Sequence, residues 1–170
     1  MGIKQFNGEW VPQEDRVMFR FNTHENQEFS FWLTRRMVQA VLQGSQQLGV
    51  QRLEKTHSPQ VAQAVQAFEQ QAVSEQVKFR DSYQSAADKP LGEQPVLVVG
   101  LVMNQVEQQT DIEFQLVTGQ RVNLNLPQTV LQLMVTLLTK LQDNAAWGIG
   151  LMAHDASTPL TPTHTPHPVH

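Results

Sequence analysis

Two adjacent arginines at the start of a predicted helix are the residues that most directly suggest binding chemistry. Thr34 is a favourable N-cap residue, so Arg35 and Arg36 would occupy the first helical positions. Backbone N–H groups and the helix dipole attract anions at this end, where two cations disfavour the helix itself. The pattern therefore indicates binding of a phosphate or carboxylate group. In the alternative, both arginines cover neighbouring side chains and pair with Glu25 or Glu28.

A second group, Met18, Arg20 and Trp32, has the composition of a protein contact surface. Alternation along two predicted strands puts these side chains on the sheet face that looks away from the helices. A tryptophan and a methionine exposed side by side predict a protein–protein interface. In the alternative, the amino-terminal segment around Trp10, or the second helix, covers this face.

No residue pattern predicts a metal site, a cofactor or a catalytic centre. His164, His167 and His170 recur every third residue, which would align them along a polyproline II helix. A flexible tail supplies no second shell to orient such ligands, so we expect no metal site there. The run from His154 to Ser157 contains the residue types of a catalytic triad, but neighbouring tail residues cannot hold triad geometry.

The elements that would position these residues form an internal repeat. Residues 17–48 read as strand, turn, strand and helix, and residues 112–141 follow the same order. In each unit the two strands carry three alternating apolar residues each, and an amphipathic helix follows directly. We interpret the two stretches as duplicated ββα units. Convergence is the alternative, because a hairpin followed by a helix is a common arrangement.

The alternating apolar residues also predict the register of each hairpin, because a slip of one residue would turn an apolar face to water. In the first hairpin, the predicted opposed pairs are Phe21–Phe29, Phe19–Phe31 and Val17–Leu33. In the second, they are Leu116–Val122, Phe114–Leu124 and Ile112–Leu126. The predicted loops are Thr23–Gln27 and Thr118–Gln120, so a difference of two residues in loop length separates the units.

The rest of the chain completes a predicted sheet of about five strands. Val96–Met103 is the most apolar stretch and predicts a central strand buried on both faces. Residues 1–16 predict at most a short edge strand. A further helix is expected from Ser58 to about Phe79, with Pro59 in its first turn. The predicted fold is α+β, an antiparallel or mixed sheet with the helices packed largely on one face.

Length and composition predict a single domain over residues 1–151 and a disordered Pro-, Thr- and His-rich tail over residues 152–170. The net charge of −4 gives no general attraction to nucleic acid. The sequence contains no cysteine, no recognisable signal peptide and no apolar run near the ~20 residues of a membrane span. These features predict a cytoplasmic protein.

Together the patterns favour a non-enzymatic interaction or assembly module, expected to be a homodimer that uses the face of Met18, Arg20 and Trp32. One alternative is an anion- or nucleic-acid-binding protein centred on Arg35 and Arg36, although the net charge counts against it. The other alternative is an enzyme whose site has no sequence signature. No cofactor is expected under the favoured interpretation.

Overall fold

The computed structural model describes residues 2–76 and 82–148. Six strands are present in these ranges: β1 (Ile3–Val11), β2 (Arg16–Thr23), β3 (Glu28–Thr34), β4 (Val96–Val106), β5 (Gln109–Leu116) and β6 (Arg121–Pro127). The helices are α1 (Arg35–Glu54), α2 (Pro59–Gln76) and α3 (Gln128–Asn144), and a short 3-10 helix, Pro12–Glu14, joins β1 to β2. The predicted tail, residues 152–170, lies outside the described residues.

The strands form one mixed sheet in the order of the sequence, and the predicted α+β class is confirmed. β3 and β4 pair in parallel, and all other neighbouring strands are antiparallel. The described sheet has six strands rather than about five because the amino-terminal segment forms β1, a nine-residue edge strand. The alternation of apolar residues along β1 is interrupted at Gly8, which has no side chain. A glycine is needed there because α3 comes so close that an added Cβ would lie 2.6 Å from Leu141 Cδ1.

The predicted register of the first hairpin is confirmed. Its opposed pairs are Phe21–Phe29, Phe19–Phe31 and Val17–Leu33. All six of these side chains are at most 6% exposed, and they share one core with the apolar residues of α1 and α3. The apolar face of the hairpin therefore lies against the helices, as the alternation predicted.

The predicted register of the second hairpin is wrong by two residues. Its opposed pairs are Phe114–Val122 and Ile112–Leu124, and Leu126 lies opposite Thr110. The buried face is unchanged, because a shift of two residues returns every side chain to the same side of the sheet. The turn decides the register: Gly119, at φ +85°, ends a three-residue loop that is closed by a bond from Leu116 N–H to Gln120 O.

Both hairpins close with the same turn, so the predicted difference in loop length is also wrong. Asn26, at φ +60°, takes the place of Gly119, and Thr23 N–H donates to Gln27 O. From the turn to the start of the helix, each residue of the first half therefore lies 93 positions before its counterpart in the second half. Thr23 corresponds to Leu116, and the first helical residue Arg35 corresponds to Gln128. The origin of the two halves by duplication stays a prediction.

The match extends to strands that the predicted repeat left out. β1 contains a register shift between Ile3 and Gln5, and β4 contains one between Val98 and Gly100. Ile3 lies opposite Thr23 and Val98 opposite Leu116, so both irregularities occupy the same place relative to the following turn. Each half of the described chain therefore has the element order βββα, one strand longer than the predicted unit.

The helices form two layers on the core side of the sheet. Thr34 caps α1 by accepting a bond from Met37 N–H, as predicted, and Pro127 stands directly before α3. α1 packs on β3 and β4, and α3 packs on β1, β5 and β6. α2 lies on α1 and α3, and none of the helices in the described part of the chain is long and apolar enough to cross a membrane.

The buried side of α2 does not carry its largest apolar side chain. Ala62 and Gln66 are buried, whereas Val61 is 47% and Phe68 73% exposed. α1 meets α2 at Gly49, where an added Cβ would lie 2.3 Å from Gln66 Nε2, so the glycine leaves room for the buried Gln66 side chain. The carboxyl-terminal end predicted for this helix, near Phe79, lies outside the described residues.

Candidate functional site

A row of four apolar side chains crosses the middle of the sheet on the face away from the helices. Met18 on β2 lies opposite Trp32 on β3, and Trp32 lies beside Leu97 on β4. Val117, directly after β5, donates its N–H to Leu97 O at 2.9 Å. We call Met18, Trp32, Leu97 and Val117 the outer row. It includes two of the three residues that the sequence predicted for an interface.

Strand alternation accounts for the outward direction of the outer row. The neighbours of Trp32 along the chain, Phe31 and Leu33, are both 0% exposed in the core. Leu97 precedes buried Val98, and Val117 follows buried Leu116. Since successive side chains point to opposite faces, the four residues must lie on the outer face.

The outer row is only partly shielded from solvent. Met18, Trp32 and Leu97 are half-buried, and Val117 is 61% exposed. The Arg16 guanidinium lies 4.2 Å from the centroid of the Trp32 ring and is also paired with Glu14. A cation stacked on one face of the indole leaves the rest of the row open to contact.

Arg20, the third predicted interface residue, belongs to a polar cluster next to the row. Its Nε donates to Asn7 Oδ1 at 2.9 Å, and its guanidinium lies 4.3 Å from the centroid of the Tyr83 ring. Tyr83 Oη donates to the buried carboxylate of Glu28 at 3.0 Å, and Ala86 N–H donates to the same oxygen at 3.2 Å. The segment that follows residue 81 therefore covers this end of the outer face.

Neither cover considered in the sequence lies over the outer row. Trp10 lies opposite Val17, whose side chain is in the core, so Trp10 belongs to the helix side of the sheet. α2 lies on the helices and not on the outer face. Among the described residues, the cover over the predicted interface comes from Tyr83 and its neighbours at Arg20 and from Arg16 at Trp32. Its role in association stays a prediction.

The polar cluster predicts that Tyr83 ionises at a higher pH in the folded protein than in the unfolded chain. Burial, followed by the nearby Glu28 carboxylate, raises the pKa of this phenol well above its ordinary value of 10.0. Because the folded-state pKa is raised, the stabilisation is complete below pH 10 and is lost as the pH rises through the folded-state pKa. Tyr83 is the single tyrosine of the sequence, so its ultraviolet absorbance reports its ionisation without overlap from another phenol.

The corresponding experiment is a spectrophotometric titration of the native and denatured protein. We expect the native protein to ionise at a clearly higher pH than the denatured chain, and Glu28→Gln to lower the native midpoint. Glu9→Gln is a suitable control, because the Glu9 side chain is exposed on neighbouring β1. A native midpoint equal to the denatured one would contradict the observed packing.

The predicted anion-binding residues Thr34, Arg35 and Arg36 are placed differently from one another. Thr34 uses its hydroxyl oxygen to cap α1. Arg35 Nη2 donates to the backbone carbonyl of Trp147 at 2.7 Å. Arg36 is exposed and lines a groove of 390 Å³ between the start of α1 and β4. Anion binding stays a prediction, with Arg36 as the guanidinium that reaches the groove.

The alternative pairing of these arginines with Glu25 or Glu28 is wrong. Glu28 accepts its bonds from Tyr83 and Ala86, and Arg35 is bound to Trp147. Within residues 2–76 and 82–148, no three His, Cys, Asp or Glu side chains form a group that could hold a metal ion. His164, His167, His170 and the run from His154 to Ser157 lie outside these ranges.

Sequence reasoning missed Leu97 and Val117. Leu97 was predicted to be buried, because the uninterrupted apolar run Val96–Met103 resembles a strand covered on both faces. In the structure Val99 is 56% and Val102 41% exposed, so burial of both faces is wrong. Only the parallel pairing of β3 with β4 reveals that Leu97 stands beside Trp32.

Comparisons with known proteins found no matching family model, no matching curated protein and no matching solved structure.

Proposed function

We propose that this protein is a non-enzymatic interaction and assembly module of the cytoplasm that forms a homodimer through the outer row. The observation that carries the proposal is the alignment of Met18, Trp32 and Leu97 on three strands with Val117 directly after β5, on the face opposite the helices. Tryptophan and methionine are enriched at the centres of protein interfaces, where their large apolar area is removed from water.

The outer face carries charges of both signs, so two copies of the chain can meet there without net repulsion. Arg16 and Arg20 flank Met18 on the same face of β2. Asp111 and Glu113 lie on the same face of β5, where each precedes a buried apolar residue. A two-fold axis near Trp32 and Leu97, parallel to the strands, would bring β2 of one copy towards β5 of the other. Arg16 of one copy would then approach Glu113 of the other, because both lie on the same side of the outer row.

The test is the mass of Trp32→Glu in solution, measured by light scattering. A carboxylate at the centre of a closed apolar contact would lose its hydration without gaining a partner, so association should fail. We expect the mass of the particle to fall to half that of the wild type, with an unchanged circular dichroism spectrum. Val61→Glu, on the exposed side of α2, is the matched control and should keep the wild-type mass.

Val117→Glu distinguishes a loss of association from a loss of folding. Val117 is already 61% exposed, so a carboxylate there should not disturb the core. This substitution places the same charge at the end of the outer row and should also halve the mass. If both Trp32→Glu and Val117→Glu fold and keep the wild-type mass, the outer row is not an association surface.

A further inference from the structure

α2 is the helix that contributes least to the hydrophobic core. None of its described side chains belongs to the core, which is built from the sheet, α1, α3 and Trp147. Val38 and Val41 on α1 and Met134 and Leu138 on α3 are all 0% exposed there. α1 and α3 also contact each other directly. The core therefore does not depend on the side chains of α2.

The large apolar side chains of α2 lie mostly on its solvent side. Val61 and Phe68 are exposed, and Val65 is half-buried. The buried positions in the described part of α2 are Ala62 and Gln66, and an alanine removes little apolar area from water. The hydrophobic effect therefore contributes little to the docking of α2.

The contact between α1 and α2 also leaves polar atoms unpaired. Ser45, Gly49 and Arg52 lie on one side of α1, at spacings of four and three residues, and Gly49 receives the Gln66 side chain. Ser45 Oγ, Arg52 Nε and Gln66 Oε1 are buried without a hydrogen-bond partner among the described residues. Because water can bind all three atoms when α2 is away, their burial opposes docking.

An ion pair joins the two helices at the surface. Arg52 Nη2 lies 2.8 Å from Glu69 Oε2, and the two side chains are 24% and 32% exposed. Ion pairs this accessible contribute little to stability and are weakened by salt. In addition, a groove of 310 Å³ lies between α2 and the residues Gln128 and Gln132 at the start of α3. α2 is therefore held weakly on both of its neighbours.

We infer that α2 is a detachable cover, which opens as a unit from α1 and α3 while the sheet and these two helices stay folded. Weakly held elements open locally at a lower free energy than that of global unfolding. The opening of α2 exposes the polar side of α1 at Ser45 and Gly49, together with Gln132 on α3, which is buried in the closed form. The open form therefore presents a polar groove between two helices, and rising ionic strength favours it.

This conformational change is separate from association through the outer row. The outer row lies on the face of the sheet away from the helices, whereas α2 lies on the helices themselves. The opening of α2 leaves the outer row unchanged, and a monomeric protein could open in the same way. The two proposals can therefore fail independently.

Hydrogen exchange of the unmodified protein, measured by mass spectrometry, tests the inference. We expect peptides from α2 to exchange at least about 100-fold faster than peptides from residues 131–141 of α3, because α2 opens without global unfolding. If α2 exchanges as slowly as α3, it opens only with the whole domain and the inference is wrong.

Ala62→Glu should hold α2 in the open form, because a carboxylate at this buried position loses its hydration when α2 docks. We expect α2 to exchange as fast as an unfolded peptide, while α3 keeps its wild-type exchange. Ala64→Glu adds the same charge at an exposed position of α2 and should exchange like the wild type. Loss of protection in α3 as well as in α2 of Ala62→Glu would show that α2 belongs to the cooperative core and would overturn the inference.

The ion pair is tested by the dependence of exchange on sodium chloride. Added salt should speed exchange in α2 of the wild type, and Glu69→Gln should speed it at low salt and remove the effect of added salt. Glu54→Gln removes a carboxylate from an exposed position of α1 and should do neither. Equal effects of the two substitutions would contradict control of the opening by the ion pair.

Discussion

Replacement of Phe31 by alanine is expected to lower the free energy of unfolding by about 3–5 kcal/mol. Phe31 is 0% exposed, and its ring centroid lies 5.3 Å from that of Phe114 and 5.9 Å from that of Phe21. It joins the two halves of the sheet at the short β3–β4 junction, where it lies beside Val96. The substitution would leave a cavity lined by rings from both halves. Chemical denaturation measures the resulting loss in the free energy of unfolding.

Leu124→Ala provides the counterpart in the second half and should cost about 2–5 kcal/mol. Leu124 lies opposite Ile112, as Phe31 lies opposite Phe19, and is 2% exposed. Val61→Ala on α2 is the control, because a substitution at an exposed position outside the outer row should stay within about 0.5 kcal/mol of the wild type. A nearly neutral Phe31→Ala or Leu124→Ala would contradict the packing described for that half.

Trp147→Ala should produce a loss of similar size, about 3–5 kcal/mol, although Trp147 follows the last helix. The side chain is 3% exposed, and its Nε1 donates to Asp15 Oδ1 at 2.8 Å. Its backbone carbonyl accepts the bond from Arg35 Nη2. Trp147 therefore links the end of α3 to the β1–β2 connection and to the start of α1.

A second substitution separates the packing of Trp147 from its hydrogen bond. Trp147→Phe keeps most of the apolar surface and removes the indole N–H, so we expect a smaller loss of about 1–2 kcal/mol. Both values come from equilibrium unfolding in urea. Equal losses for the alanine and phenylalanine variants would mean that the contact with Asp15, and not burial of the ring, carries the stabilisation.

The buried faces of the strands could be predicted from the sequence, because alternation has a period of two and the apolar residues of β2, β3, β5 and β6 obey it. The same period explains the error in the second hairpin. Registers that differ by two residues bury identical faces, so the pattern of Ile112, Phe114 and Leu116 cannot distinguish them. The distinction lay in Gly119, whose positive φ of +85° fixes it as the last loop residue.

The missed parts of the fold are those that depend on contacts between distant segments. β1 was underestimated because Gly8 carries no side chain that could show its alternation, and its partner, α3, lies more than a hundred residues away. In α2, Ala62 and Gln66 are buried and Phe68 is exposed, because Gly49 on α1 leaves room for the Gln66 side chain. Local periodicity contains no information on the shape of the neighbouring surface.

Only part of the candidate site could be predicted, because two of its four residues depend on contacts between distant segments. Met18 and Trp32 belong to one hairpin, so alternation and register place them side by side on one face. Leu97 and Val117 join the outer row only through the parallel pairing of β3 with β4, which connects segments about sixty residues apart. The involvement of Tyr83 with Arg20 is likewise a contact that no local pattern contains.

The most direct test of the proposed function is the mass of the unmodified protein in solution, measured by light scattering over a wide range of concentrations. An apolar row on a sheet face that carries charges of both signs predicts a particle of at least two chains at micromolar concentration. A mass equal to that of one chain at every concentration would contradict association through the outer row.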